Sequence, residues 1–145
     1  MSIWYKPLTL ADLLARYKIK TIHDVLGIKI TELGEDYLRG TMPVDSRTHQ
    51  PLGIMHGGAS CVLAETLGSL GANFCLDPAL KYAVGLDIHT THIRSVSSGI
   101  VTGTGKPIHI GRSTQIWEIN IVNEQGKLVS VTRLTLFVKD RETKE

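Results

Sequence analysis

Glu65 is the only formally charged residue in the run 57–76, GGASCVLAETLGSLGANFCL. Its neighbours are small or apolar, so the run predicts a helix buried on most sides. An ionised carboxylate is costly in such surroundings unless a partner or a reaction uses it. His56-Gly57-Gly58 stands immediately upstream, and its glycine N–H groups are expected bare at the helix start, where the peptide dipoles favour an anion. A carboxylate facing apolar surroundings and a helix start able to hold an oxyanion are two halves of an acyl-transfer site. Eight residues separate Gly57 from Glu65, about 12 Å along a helix axis. An acyl carbon needs its attacking group and its oxyanion donors each within about 3 Å, so one helix serves both tasks poorly. Two copies packed antiparallel about a two-fold axis would set Glu65 of one beside the Gly57 amide of the other, giving two identical composite sites.

Other chemistries find no support. Neither Ser60 nor Ser69 sits in G-x-S-x-G, so no hydrolase nucleophile elbow is present. Gly103-Thr-Gly105-Lys106 lacks P-loop spacing, and Pro107 follows where Ser or Thr is required. His89 and His92 point to opposite faces of a strand, and no third ligand is placed, so no metal site is expected. A net charge of +2, with acids and bases interspersed and no basic arm, argues against nucleic-acid binding. Cys61 and Cys75 lie fourteen residues apart in the proposed helix, about 21 Å and too far for a bridge. They read as reduced, buried thiols of a cytoplasmic protein. No signal peptide opens the chain, and the longest apolar run carries Glu65, Asn73 and glycines, so no transmembrane helix is expected.

The elements that must position these groups fit one domain over residues 1–145, with a polar tail after about 138. Leu10, Leu13, Leu14 and Tyr17 recur at helical spacing behind Thr9, a plausible N-cap that with Asp12 only loosely imitates a capping box. A second helical piece is expected around Ile22 to Leu26. Residues 28–33 and 37–42 read as a hairpin about the Gly34-Glu-Asp turn. The loop from Asp45 to Met55 delivers the chain to the long helix. Residues 83–95, 99–108, 113–122 and 127–138 are strand-like and joined by short turns, which predicts a four-strand antiparallel meander. The Gly68 and Gly71 pair is expected to allow close approach of the helix to the sheet or to a two-fold mate.

Three runs carry a family resemblance: Met42-Pro-Val-Asp-Ser-Arg-Thr-His-Gln-Pro51, Leu52-Gly-Ile-Met-His-Gly-Gly-Ala-Ser60, and Leu63-Ala-Glu65-Thr-Leu-Gly-Ser69. With Val84-Gly-Leu-Asp-Ile88, His92-Ile-Arg94 and Lys106-Pro-Ile-His-Ile-Gly111-Arg112, they resemble the hotdog-fold acyl-CoA thioesterases over nearly the whole chain. The branch that the chain is most similar to acts on aryl-CoA esters. It includes the 1,4-dihydroxy-2-naphthoyl-CoA thioesterases of menaquinone synthesis and the proofreading thioesterases of enterobactin synthesis. The resemblance implies an α+β hotdog fold, a long central helix wrapped by a curled antiparallel sheet of about six strands, with a short N-terminal helix. It implies a homodimer with composite sites, pairing further as a dimer of dimers, an acyl-CoA substrate, and no metal or bound cofactor. It assigns Glu65 as nucleophile or general base, the Gly57 amide as the group that polarises the thioester carbonyl, and Gln50 and His56 as its neighbours. Ser69 and His92 would line the acyl pocket; Arg94, Gly111 and Arg112 would lie near the coenzyme A arm. The sequence departs from the family pattern at His89-Thr-Thr91 and at Leu52, positions that bear on acyl preference.

Plainer roles compete with these. Glu65 could be a structural carboxylate paired with Arg47 or Arg94, His56 a simple helix cap, Gln50 a loop amide, Ser69 a packing residue, and Arg94 and Arg112 solvated charges. Three other functions stand beside acyl-CoA hydrolysis: proofreading of aryl-carrier-protein thioesters, a hotdog dehydratase, and a non-catalytic acyl-CoA binder.

Overall fold

The computed structural model describes residues 1–16 and 20–142; Tyr17, assigned above to the first helix, and the end of the polar tail lie outside the described residues. Thr9 and Asp12 open α1 (Leu10–Arg16). The Asp12 N–H donates to Thr9 Oγ1 at 3.1 Å and the Thr9 N–H donates to Asp12 Oδ2 at 2.9 Å. The capping box is therefore complete, because aspartate reaches back as well as the longer acid does. Thr21 and Asp24 repeat the device at α2 (Ile22–Val25). The expected hairpin forms from β1 (Lys29–Leu33) and β2 (Leu38–Pro43). The long helix α3 spans Gly57–Phe74, followed by β3 (Lys81–His92), β4 (Ile100–Ile110), β5 (Thr114–Val122) and β6 (Leu128–Asp140).

All six strands form one antiparallel sheet in the order β1-β2-β4-β5-β6-β3. This corrects the four-strand meander: β4, β5 and β6 run consecutively, but β3 pairs with β6 and β2 takes the place beside β4. Strand patterning fixes which residues extend, not which neighbour they choose. The connection 93–99 contains no strand and is too long for a tight hairpin. It carries the chain across, held by the loop before α3. The Met55 N–H donates to the Val96 carbonyl at 2.7 Å, the Val44 N–H to the Gly99 carbonyl at 2.8 Å, and His49 Nε2 bonds the Ser97 carbonyl at 2.9 Å. That lacing sets where α3 begins.

The sheet curls around α3. Leu63, Ala64 and Leu67 of the helix are fully buried against Trp117, Ile119, Leu134 and Leu136 of β5 and β6. Gly68 and Gly71 face the sheet: a Cβ on Gly71 would stand 2.5 Å from the Trp117 ring, and one on Gly68 2.5 Å from Leu134 Cδ2. Trp117 has little room to yield, since its Nε1 donates to Gln115 Oε1 at 3.0 Å and its ring stacks on Trp4 at 6.4 Å. Gly71→Ala is therefore expected to destabilise the fold by about 2 kcal/mol through overpacking. Thermal denaturation should show a midpoint lowered by at least about 3 °C. Among the described residues no helix is long and apolar enough to cross a membrane.

Candidate active site

His56 is the N-cap of α3, held in extended backbone, and its Nδ1 accepts the Gly58 N–H at 2.8 Å. This corrects the expectation of two bare glycine amides, because Gly58 is already satisfied. With Nδ1 accepting, the ring proton of neutral His56 sits on Nε2, a donor directed away from the cap. The Ala59 and Ser60 N–H groups turn back to the His56 carbonyl at 2.9 and 3.4 Å. Among the described residues the Gly57 N–H has no partner. Gly57 also provides space, since a Cβ there would lie 2.7 Å from His92 Nε2. Gln50 arrives on the loop with its Oε1 accepting the Leu52 N–H, which leaves its amide nitrogen to donate. Gln50, Gly57, His92 and Arg94 line a cavity of about 320 Å³, and the buried Ser60 joins them, a residue the sequence did not single out for this site.

Glu65 lies two turns farther along α3, in a second cavity of about 480 Å³ shared with Cys61, Thr66, Ser69 and Ile88. Ser69 Oγ donates to Glu65 Oε1 at 3.0 Å. Among the described residues Glu65 forms no ion pair. Arg47 pairs with Asp45 at 2.7 Å and holds that carboxyl down to about 2, and Arg94 stands exposed at the first cavity. Gly85 of β3 is the residue that sequence reasoning missed: a Cβ there would meet Glu65 Oε1 at 2.4 Å. The strand backbone thus forms the floor on which the carboxylate rests. Because the obstructing atom is the tip of a flexible side chain, Gly85→Ala should leave thermal stability near wild type while displacing the carboxylate. A displacement of about 1 Å predicts roughly 10²-fold lower kcat, measured beside a melting curve.

The chain does not bring all the predicted residues together. Glu65 and Ser69 belong to one cavity, and Gln50, Gly57, His92 and Arg94 to the other. Ser69 and His92, expected to line one acyl pocket, are on different cavities of the same chain because His92 ends β3 beside the helix start. Gly111 and Arg112 form the β4–β5 turn, where the Gly111 N–H donates to the Thr114 carbonyl at 2.9 Å; neither lines either cavity. Arg112 is exposed. The cysteines are free and half-buried rather than fully buried, with Cys75 packed against the core. Cys61 Sγ donates to Thr90 Oγ1 at 3.4 Å, while Cys75 caps the helix end and burial pushes its thiol up to about 12. Among the described residues no three His, Cys, Asp or Glu side chains form a metal-binding group.

Residues 52–130 match the model of the Thioesterase superfamily. A solved thioesterase from Haemophilus influenzae superposes with a TM-score of 0.89 at 47% identity, covering 95% of each chain. Proofreading thioesterase EntH of Cronobacter turicensis is 47% identical, over 94% of this chain and 98% of its own. The 1,4-dihydroxy-2-naphthoyl-CoA hydrolase of Escherichia coli is 44% identical over the same shares. Sheet order, helix placement and sequence agree: the chain belongs to the thioesterase superfamily, with the hotdog fold and the thioester-hydrolase activity of that family.

Proposed function

We propose that the protein hydrolyses aromatic acyl-CoA thioesters to the free acid and coenzyme A, in a homodimer whose two sites each draw on both subunits. One observation carries this reading: the carboxylate and the unpartnered amide open into different cavities of one chain. Between them runs β3, an edge strand paired with β6 on one side only, with Val84, Leu86 and Ile88 exposed at 42%, 64% and 37%. A long apolar edge invites pairing with another strand. Joining two β3 edges about a two-fold axis covers it and turns the Glu65 face of one α3 toward the Gly57 end of the other.

In that arrangement the thioester oxygen accepts the Gly57 N–H, with His56 Nε2 and the Gln50 amide as further donors. The helix start stabilises the oxyanion as the carbonyl carbon becomes tetrahedral. Glu65 of the partner subunit either attacks that carbon, expelling coenzyme A thiolate to leave an anhydride that water opens, or removes a proton from the water that attacks. Ser69 orients the carboxylate in both routes. Arg94 and Arg112 supply exposed cations for the coenzyme A phosphates, with the Gly111 turn shaping the approach. The reading requires no metal or bound cofactor. It extends to one hotdog domain over the chain, dimers paired into tetramers, a cytoplasmic location and a role in menaquinone synthesis. The aryl preference is supported by the name of the Escherichia coli relative and by the apolar walls that Val62, Leu70 and Ile88 give the Glu65 cavity.

A substrate panel tests it. Benzoyl-, 4-hydroxybenzoyl- and 1,4-dihydroxy-2-naphthoyl-CoA should exceed hexanoyl- and palmitoyl-CoA in kcat/KM by about tenfold or more. Higher efficiency on an aryl-carrier-protein thioester would establish the proofreading role instead. Binding without thiol release from any ester would establish the acyl-CoA binder.

A further inference from the structure

We infer that His23, on α2, limits how long an acyl group the Glu65 cavity accepts; the inference rests on the acyl-thioester reading of that cavity. Beyond the Glu65 cavity lies another of about 300 Å³, between α1, α2 and β1, with Leu13, Ile28 and Ile30 among its apolar walls. Among the described residues two line both spaces, His23 and Leu70. Leu70 follows Glu65 by five positions, about 7.5 Å along α3, and comes directly after Ser69. An acyl group that starts at the carboxylate and runs along the helix past Ser69 therefore meets His23 and Leu70 before it can enter the far cavity.

The partition is anchored. Thr21 and Asp24 cap α2 reciprocally, and the His23 carbonyl accepts the Ile28 N–H at 2.8 Å. Leu70 is buried and belongs to the main core, whereas the His23 side chain is half-buried and projects from a short surface helix. Of the pair, His23 is the one whose truncation leaves the core intact. A side chain that divides two apolar spaces discriminates by length: one ring stops short of it and a rigid linear pair of rings does not.

The full-length dimeric enzyme, with His23→Ala and His23→Phe variants, is assayed on benzoyl-CoA and biphenyl-4-carbonyl-CoA. His23→Ala should raise the biphenyl-to-benzoyl ratio of kcat/KM by about tenfold or more, the scale on which pocket trimming acts, with benzoyl-CoA turnover within about threefold of wild type. His23→Phe, which restores a ring of similar size without its nitrogens, should keep the wild-type ratio. An unchanged ratio in His23→Ala, or equal losses on both esters, overturns the inference. So does a His23→Phe ratio that matches His23→Ala, because the ring nitrogens and not its bulk would then be responsible. If wild-type protein releases no coenzyme A from either ester, the acyl-CoA reading fails first and this inference falls with it, an outcome distinct from an active enzyme with an insensitive ratio.

Discussion

Replacing Glu65 by Ala is expected to lower kcat on benzoyl-CoA by at least about 10³-fold, with the dissociation constant for a non-hydrolysable benzoyl-CoA analogue little changed. The split between kcat and binding follows from the position of the carboxylate. Among the described residues its hydrogen-bond partner is Ser69 Oγ, and it rests on the backbone of Gly85, so its removal leaves the Gly57 end of the site untouched. A stabilising ion pair would predict the reverse, a lower thermal midpoint and modest kinetic loss, and the arginine nominated for that pair at position 47 is already engaged by Asp45. Removing the Ser69 hydroxyl should cost less, since the carboxylate then loses orientation and not existence. Single turnover of wild type in oxygen-18 water tests the anhydride route: label in the carboxylate marks an anhydride opened at the Glu65 carbon, whereas label confined to the released acid fits direct attack by water or an anhydride opened at the acyl carbon.

The candidate site is legible in the sequence as residue types and spacing. The charge isolation of Glu65, the glycine pair after His56 and the helical length between them lead to the expectation of a site shared by two chains, because helix rise alone sets the two groups about 12 Å apart. The fold was legible element by element, since periodicity and turn residues report local conformation. Partner choice was not. That β3 pairs with β6 follows from the crossing of residues 93–99 and its bonds to the loop before α3, contacts between segments 41 to 55 residues apart that no local pattern encodes. Gly85 escaped notice for a related reason: a glycine within a strand reads as a bulge or a weak point, and its purpose shows only once the Glu65 carboxylate is seen against it. The same holds for His23, whose sequence context, a capped four-residue helix, says nothing about the two cavities it divides. His56 shows the opposite error. The sequence credited Gly57 and Gly58 with equal freedom, but the imidazole beside them consumes one amide and thereby selects the other.

The second large effect concerns two variants that are each inactive alone. Glu65→Ala lacks the attacking carboxylate, and Gly57→Val obstructs the amide, because even a Cβ at that position meets the His92 ring. Loss of one oxyanion donor costs about 10² to 10³ in kcat, so each homodimer should be nearly silent. Mixing the two under conditions that exchange subunits changes the arithmetic. In a mixed dimer one site combines the intact Glu65 of the Gly57→Val chain with the intact Gly57 of the Glu65→Ala chain, and the other site carries both lesions. Random pairing makes about half of the dimers mixed, each with one working site of two, so activity should return to roughly a quarter of wild type. That is a recovery of about 10²-fold over either parent, with no new contact introduced. A site contained within one chain cannot behave this way, since neither chain holds both groups and mixing would give only the mean of two inactive proteins. Recovery that appears on subunit exchange and is blocked by cross-linking each homodimer beforehand ties the effect to the interface. No recovery, with mixed dimers confirmed by mass, places both groups in one subunit's chemistry and removes the two-fold arrangement from the mechanism.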